Sequence, residues 1–345
     1  MKKFILISFN LLVAIYSWSQ GCVAIRNVAG ISPDLLFDNI QPNDKLIFNI
    51  TNRYFEATKA YRADKFIADT LVRNKLYTVN FSALRLLKNG WSIGITVPIS
   101  ANSRRNYSDH GGLALPKYTT RAFGLGDIRL TAYKWLLDPA TSKKLNIQVG
   151  LGVKLPTGDY KYQDYFHRKV DSTVLAPVDQ AIQLGDGGTG ITTEIGAFYS
   201  ITKKINLFFN GFYLLNPREQ NGTSNLKGRS ASPLQIANNT TVMSVPDQFS
   251  IRAGLNYEFN RMVLNAGYRY EKVPAKDLIG GNKGFRRVAS ISSIEAGLTY
   301  KMKNTLVFAN IGIPFERKIG QNIQNDFTPA GFANHIFILG TQFKL

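Results

Sequence analysis

Segments in which apolar and polar residues alternate over about ten positions constrain the fold of this chain most. In residues 91–100, every second residue is Trp, Ile or Val, and the residues between them are Ser, Gly, Thr or Pro. Residues 145–156, 249–259 and 262–271 repeat this pattern. A period of two indicates a strand with two different faces, and a helix cannot produce it. The sequence therefore predicts β-strands in these segments, each with one apolar face.

Weaker segments of the same kind fill the rest of the chain and bring the total to about 12 strands. We predict strands near residues 45–55, 75–87, 91–100, 124–137, 145–156, 188–201, 205–216, 247–259, 262–271, 290–300, 305–313 and 332–345.

The connections between these strands alternate between long and short along the chain. The predicted long connections are 56–74, 101–123, 157–187, 217–246, 272–289 and 314–331, and tight turns such as Lys88-Asn89-Gly90 separate them. Outer-membrane barrels have short periplasmic turns and long extracellular loops, whereas a secreted β-sandwich, the main alternative, has no reason to sort its loops in this way. The sequence therefore predicts an all-β fold: an antiparallel transmembrane β-barrel in the outer membrane of a Gram-negative bacterium, with both termini periplasmic.

The N-terminus has the features of a secretory signal peptide. Two lysines precede an apolar run that is too short to span a bilayer, and Ser17-Trp18-Ser19 fits a cleavage site. The predicted divisions are a signal peptide at 1–19, a periplasmic N-terminal segment or small plug at 20–44, and the barrel at 45–345.

The C-terminal sequence HIFILGTQFKL also alternates, and it resembles the strand signal that the barrel-assembly machinery reads. Such signals usually end in an aromatic residue, whereas here Phe343 lies two positions before the terminal Leu345. The barrel-assembly machinery is therefore an expected partner.

The formal net charge of +19 raises the question of an anionic partner. The basic residues are dispersed over loops and turns without forming a stripe, so nucleic acid is not expected. In the long loops, residues such as Arg104, Lys227 and Arg287 would face lipopolysaccharide. Outer-membrane lipid and lipopolysaccharide are thus the expected surroundings, together with a small solute that the sequence does not specify.

A second charged set lies on the polar strand faces, which should point into the lumen. The candidate pore-lining residues are Arg85, Arg129, Lys154, Arg252, Arg269, Glu194 and Glu258. In a water-filled pore, the excess of positive charge would favour anions. In a narrow barrel, the same residues would form an ion-pair network that fills the interior. The sequence leaves both interpretations open.

No pattern of catalytic or metal-binding residues is evident. The three histidines, His110, His167 and His335, are dispersed and show no Ser-His-acid spacing. Asp109 with His110, and Asp164 with His167, could form an acid–base pair, but they lie in predicted loops where a solvated role is expected. Three dispersed histidines and one cysteine do not make a zinc site. We therefore expect no enzyme, no catalytic residue, no metal and no cofactor.

Three glycine-containing stretches resemble the outer-membrane barrel family named after the MetA pathway of phenol degradation. They are GLGDIRL at 124–130, GLGVKLPTGDY at 150–160 and LGDGGTG at 184–190. We expect the first to open a strand and the second to end one in a turn. The resemblance implies a transporter-like barrel with a link to the uptake of aromatic compounds, and it supplies no binding residues.

These features favour a channel or transporter for small molecules, with aromatic or anionic solutes as the expected class. The alternative is a non-conducting structural or adhesion barrel, and a minor alternative is an outer-membrane hydrolase.

Overall fold

The structure is a computed structural model that describes residues 22–23, 32–36, 45–62, 65–68, 72–112, 114–139, 141–320 and 330–345. The predicted signal peptide at 1–19 lies outside these residues. Within the described ranges, no helix is long and apolar enough to cross a membrane.

Twelve antiparallel strands form one closed barrel. They are β1 (Leu46–Ala57), β2 (Arg73–Leu86), β3 (Trp91–Asn106), β4 (Tyr118–Leu125 and Arg129–Trp135), β5 (Leu145–Lys154), β6 (Gly190–Ser200), β7 (Ile205–Leu215), β8 (Gln248–Phe259), β9 (Met262–Val273), β10 (Ala289–Lys301), β11 (Thr305–Ile319) and β12 (Ile336–Lys344). The predicted fold class and strand number are confirmed.

The barrel closes because β12 pairs with β1, in a register that runs from Ile47 opposite Lys344 to Phe55 opposite Ile336. Every other strand pairs with its neighbours in the chain. This arrangement leaves no sheet edge in the wall, which a strand surrounded by lipid requires.

Strand β4 is interrupted at residues 126–128. Its first segment pairs with the C-terminal half of β3, from Ile99 to Asn106. Its second segment pairs with the N-terminal half of β3 and with β5. The stretch GLGDIRL was expected to open a strand, and this prediction was wrong because the stretch ends one strand segment and begins the next.

The predicted alternation of connections is confirmed. Short turns occupy residues 87–90, 136–144, 201–204, 260–261 and 302–304, whereas the other connections run over 58–72, 107–117, 155–189, 216–247, 274–288 and 320–335. In the first turn, Asn89 and Gly90 both have a positive φ, of 57° and 72°. This left-handed pair explains the Asn-Gly sequence. The periplasmic position of the short turns and of both termini stays a prediction.

The wall is apolar outside and polar inside. In β5, Leu145, Val149 and Leu151 are 44%, 40% and 62% exposed, whereas Asn146 and Gln148 are buried. In a soluble protein the apolar side chains would be buried and the polar ones exposed. The opposite arrangement is typical of a barrel whose outer face contacts lipid. Near the short turns, the Lys134 ammonium lies 5.5 Å from the exposed ring of Trp91, as expected at the boundary between lipid tails and headgroups.

Two of the long connections contain paired strands of their own. A hairpin of Gln163–Lys169 and Ser172–Pro177 lies beside β4, where the Arg121 N–H donates to the Asp164 carboxylate at 2.7 Å. A second pairing joins Gln220–Ser224 to Val242–Ser244, with a short helix, Pro233–Ala237, between them. These segments cover the end of the barrel that carries the long loops.

A small sheet lies at the same end of the barrel. It contains Lys59–Arg62, Lys65–Ala68, Ala330–Phe332 and the short parallel strand Cys22–Val23.

Candidate functional site: the barrel lumen

The lumen contains two cavities stacked along the barrel. The loop-side chamber, of about 150 Å³, is lined by Phe55, Leu76, Thr78, Lys154 and Leu184 among others. The turn-side chamber, of about 180 Å³, is lined by Tyr133, Gln148, Glu194, Arg252 and Arg269 among others. Both chambers combine polar and apolar surface, as ligand sites in proteins do.

A third cavity opens at the short-turn end and is called the vestibule here. Its volume is about 550 Å³, and its lining includes Trp135, Phe198, Lys143, Lys144 and Lys203. It thus has an aromatic floor and a basic rim.

An apolar cluster lies between the vestibule and the turn-side chamber. Ile47, Leu84 and Trp135 form this cluster, with Tyr133 and Phe198 packed against it. Leu84 and Tyr133 line the chamber, whereas Trp135 and Phe198 line the vestibule. The lumen is therefore narrow and apolar at this level.

Part of the predicted N-terminal segment 20–44 lies beside this apolar cluster. Pro33 lines the turn-side chamber, and Asp34 lines the vestibule. The amide of Asn256 on β8 donates to Ser32 Oγ at 2.7 Å and to the Asp34 carboxylate at 2.9 and 2.8 Å. Ser32, Pro33 and Asp34 are thus held inside the barrel, whereas Cys22–Val23 of the same segment pairs at the loop end. The division of the chain at residues 19 and 44 stays a prediction.

Arg252 and Arg269, two of the predicted lumen residues, share one carboxylate. Glu295 accepts from Arg252 Nε at 2.6 Å and from Arg269 Nε at 2.5 Å. Arg269 Nη1 also lies 3.7 Å from Glu271 Oε1. All four side chains are buried. The ion-pair arrangement is present on this side of the wall, and a role in selectivity stays a prediction.

Arg129 and Glu194 also meet in the lumen. Arg129 Nη1 lies 3.6 Å from Glu194 Oε1, and the Tyr133 hydroxyl donates to Glu194 Oε2 at 3.1 Å. The Arg129 guanidinium lies 5.5 Å from the centre of the Phe212 ring.

Lys154 and Glu258 lie at opposite ends of the lumen. Lys154 forms an ion pair with Asp186 in the loop-side chamber. Glu258 lines the vestibule and lies 2.8 Å from Lys301 Nζ.

The predicted lumen position of Arg85 needs correction. Arg85 is exposed on the outer face of β2, whereas its neighbour Leu84 is buried and faces inward. The interior is apolar at this level because Ile47 and Trp135 pack against Leu84. The alternation of polarity is therefore reversed near the short turns, and the charged residue lies outside.

The three glycine-containing stretches converge on Asp127, at the break in β4. The Asp127 carboxylate accepts from the Gly158 N–H at 3.0 Å and from the Asp186 N–H at 3.1 Å. Lys154 Nζ lies 3.8 Å from the same carboxylate. The Thr157 hydroxyl donates to Gly126 O at 2.8 Å and accepts from the Ile128 N–H at 2.9 Å. We call this cluster the Asp127 knot.

Arg53 and Phe212 are examples of lumen residues that sequence reasoning missed, for different reasons. Arg53 on β1 lines the loop-side chamber and is 6% exposed. It follows Asn49 and Thr51 on the polar face of the strand, so the alternation already contained this signal. Phe212 is apolar yet faces inward, and an alternation that assigns polar residues to the lumen cannot identify it.

A buried ionic cluster holds the long loops together. Asp179 lies 3.0 Å from Lys227 Nζ, 2.9 Å from Arg287 Nη2 and 3.7 Å from Arg104 Nε. Asp109 lies 2.5 Å from Arg104 Nε. Burial would raise the pKa of Asp179, but its cationic neighbours hold the pKa well below its usual range. Arg104, Lys227 and Arg287 are buried in this cluster, so the expectation that they face lipopolysaccharide was wrong.

Asp109 and His110 do not form an acid–base pair. The Asp109 carboxylate contacts Arg104 and Asn106, whereas His110 Nδ1 accepts from the His167 N–H at 3.0 Å. Burial lowers the pKa of His110 to about 4, which the adjacent Asp109 opposes only in part.

The family model described as "Putative MetA-pathway of phenol degradation" matches residues 70–318. The chain belongs to this family. The matched region contains the Asp127 knot and the wall from β2 to β10. The three stretches that suggested this family from the sequence are therefore one hydrogen-bonded feature of its barrel. No curated protein sequence matches the chain.

A solved outer-membrane channel shares the fold, and two further barrels align with lower scores. The COG4313 outer membrane channel from Pseudomonas putida F1 is 12% identical, with a TM-score of 0.62 over 89% of this chain and 97% of that chain. The translocator domain of the autotransporter NalP from Neisseria meningitidis is 11% identical, with a TM-score of 0.46 over 90% and 91%. A Pseudomonas aeruginosa FadL homologue is 10% identical, with a TM-score of 0.44 over 94% and 99%. Together with the apolar outer band, the fold places the protein in the outer membrane.

Proposed function

We propose that the barrel is a channel or transporter that carries small molecules across the outer membrane, and aromatic or anionic molecules in particular. The observation that carries this proposal is the pair of stacked chambers inside a closed wall. A cavity of about 150 Å³ accommodates a benzene-sized molecule, which is close to the volume of each chamber. Family membership supports the same function, as does the likeness to a barrel described as an outer membrane channel.

The charges that line the loop-side chamber support an anionic solute. They are Arg53, Arg129, Lys154 and Arg287 on the positive side, and Asp127 and Asp186 on the negative side. Arg129 and Arg287 are paired with Glu194 and Asp179, which are not part of this lining. Cations therefore outnumber carboxylates only at the chamber surface itself, where a local positive potential would favour an anion over a cation. Phe55, Leu76 and Leu184 give the same chamber an apolar surface for a ring.

One observation favours the non-conducting alternative. Ser32, Pro33 and Asp34, together with the apolar cluster around Leu84, lie between the turn-side chamber and the vestibule. A barrel that stays closed at this level would be structural or adhesive. We propose no catalytic role, because the Asp109 carboxylate contacts Arg104 and Asn106 rather than the His110 ring.

Single-channel recording in planar bilayers tests the proposal. Folded, heat-modifiable protein should give discrete conductance steps with a reversal potential shifted toward anions. Arg129→Gln should reduce this anion preference, because it removes a lumen cation. Arg85→Gln removes the same charge from the outer wall and should leave the preference unchanged. Silent bilayers with folded protein would favour the non-conducting barrel.

The fold supports the expected surroundings of the barrel. Its outer band contacts membrane lipid, and the exposed basic residues of the loops suit lipopolysaccharide. The last strand closes the wall against β1, which supports recognition by the barrel-assembly machinery. With an even number of strands and short periplasmic turns, β1 would begin and β12 would end on the periplasmic side. Cys22–Val23 lies instead at the loop end, where it pairs with Gly331 and Phe332.

A further inference from the structure

The boundary between the two chambers is formed by a small set of side chains. Among the described residues, Asn80, Thr96, Arg129 and Phe212 line both chambers. Arg129 and Phe212 are the largest of the four. The Arg129 guanidinium carbon lies 5.5 Å from the centre of the Phe212 ring, which is within the range of a cation–π contact. A solute that moves from one chamber to the other must therefore pass this pair.

The inward face of β5 lets Arg129 reach Phe212. Arg129 is the first residue of β4 after its break, and Phe212 lies on β7, so β5 and β6 lie between them. Strand β5 presents glycines at this level: a Cβ on Gly150 would lie 2.7 Å from the Tyr133 ring, and one on Gly152 would lie 2.6 Å from the Thr131 hydroxyl. Because these glycines have no side chains, β5 leaves space on its inward face. Long side chains from β4 can extend across it.

Glu194 on β6 forms an ion pair with Arg129. It receives the Tyr133 hydroxyl bond and lies 3.6 Å from Arg129 Nη1. The guanidinium thus has a carboxylate at one edge and an aromatic ring 5.5 Å from its carbon. An ion pair tolerates a planar partner on the face of a guanidinium, because its hydrogen bonds lie in the plane of the group.

We propose that Arg129 and Phe212 form a gate that selects aromatic solutes, a proposal that rests on the channel function above. A passing aromatic ring takes the place of Phe212 on the guanidinium, so the cation–π contact is exchanged and not lost. A saturated ring of similar size has no π-face and must break the contact without compensation. A carboxylate on the solute is attracted by Arg129 and repelled by Glu194, whose Oε1 lies 3.6 Å from Arg129 Nη1. The gate therefore selects by aromaticity rather than by charge, and it favours an aromatic anion over a saturated anion of the same charge.

Benzoate and cyclohexanecarboxylate separate this gate from a simple anion pore, because they share charge and similar size and differ in aromaticity. Permeability ratios come from reversal potentials in planar bilayers at pH 8, with one of the two anions on each side. Wild-type protein should favour benzoate about fivefold, which corresponds to about 1 kcal/mol, within the range of a cation–π contact. Equal permeabilities in a conducting channel would overturn the gate and leave the channel function intact. No conductance with either anion or with chloride would overturn the channel function itself.

Variants then test the two side chains separately. Arg129→Gln should bring the ratio close to one, and Arg129→Lys should restore part of it because the ammonium keeps its charge. Phe212→Leu removes the competing ring while leaving the guanidinium, so the preference for benzoate should persist or increase. Arg85→Gln on the outer wall is the matched control and should keep the wild-type ratio. A wild-type ratio in Arg129→Gln, or a ratio of one in Phe212→Leu, contradicts the proposal. Heat-modifiable migration checks that each variant is folded.

Discussion

Arg287 Nη2 lies 2.9 Å from both carboxylate oxygens of Asp179, and both side chains are buried. The contact joins the connection after β5 to the connection after β9. Because Asp179 also contacts Arg104 and Lys227, one carboxylate holds four separate parts of the chain together over the lumen.

Asp179→Asn should loosen the long loops without unfolding the wall. Removing one partner of a buried ion pair leaves its cations uncompensated, which costs about 3–5 kcal/mol. Limited proteolysis of the folded protein in detergent should cleave the loops much faster than in wild type, while the barrel remains heat-modifiable. Glu316→Gln is the control, because Glu316 pairs with Lys318 in an exposed position and should change little. A variant as resistant as wild type would show that the cluster does not hold the loops.

The wall of this barrel could be predicted from sequence because lipid enforces a simple rule. Residues 145–156 alternate since one face must be apolar for its full length, and β5 lies there. Beyond the lipid, a strand no longer needs one apolar face, and the alternation stops. Strand β3 continues to Asn106 beyond the predicted residue 100, through a polar stretch that no longer alternates.

The parts that sequence could not predict depend on contacts between distant residues. The break in β4 is stabilised by Thr157 and Asp186, which lie far along the chain. Arg104 lies in a polar stretch that predicts an exposed cation, yet it is buried in ion pairs with Asp109 and Asp179. Arg85 has the polarity of a lumen residue, yet the interior around Leu84 is apolar. Periodicity shows which residues of a strand face the lumen, as for Arg53, but it does not show which distant residues they contact there.

The stability of the loop that contains His110 should fall as the pH falls below about 6.5. His110 has a folded-state pKa of about 4, below the value of about 6.5 for an unfolded histidine. Between these values the unfolded loop binds a proton that the folded loop excludes, so stability is present above about pH 6.5 and decreases toward pH 4. Asp109 and Asp179 have depressed pKa values and act only below this window.

Hydrogen exchange of residues 107–117 measures this effect. After correction for intrinsic rates, opening should increase by up to about tenfold per pH unit between 6.5 and 4. His110→Gln keeps an acceptor for the His167 N–H and should remove most of the dependence. His335→Gln, at an exposed histidine, should retain it. An unchanged slope in His110→Gln would contradict the assignment.

Gly185→Ala should destabilise the Asp127 knot. A Cβ at Gly185 would lie 2.5 Å from Asp127 Oδ1 and 2.5 Å from Gly158 O, so the carboxylate and its backbone donors must move apart. Forced overpacking of this kind costs about 1–3 kcal/mol. Gly312→Ala in β11 is the matched control, because its nearest neighbour would be 3.6 Å away. The temperature at which the folded band is lost on electrophoresis should fall in Gly185→Ala and not in the control. If the folded band is lost at the same temperature in both variants, the Asp127 knot is not tightly packed around Gly185.

Asn256→Asp should widen the lumen at its turn end. The Asn256 amide donates to Ser32 and to both carboxylate oxygens of Asp34, at 2.7–2.9 Å. An aspartate at this position places two carboxylates within about 3 Å, where like charges repel. The segment around Pro33 should then leave its place on the wall, and single-channel recordings should show larger or more frequent openings. Asn304→Asp adds the same charge in an exposed turn at the same end and should leave the conductance unchanged. If Asn256→Asp conducts as wild type does, the segment does not restrict the pore.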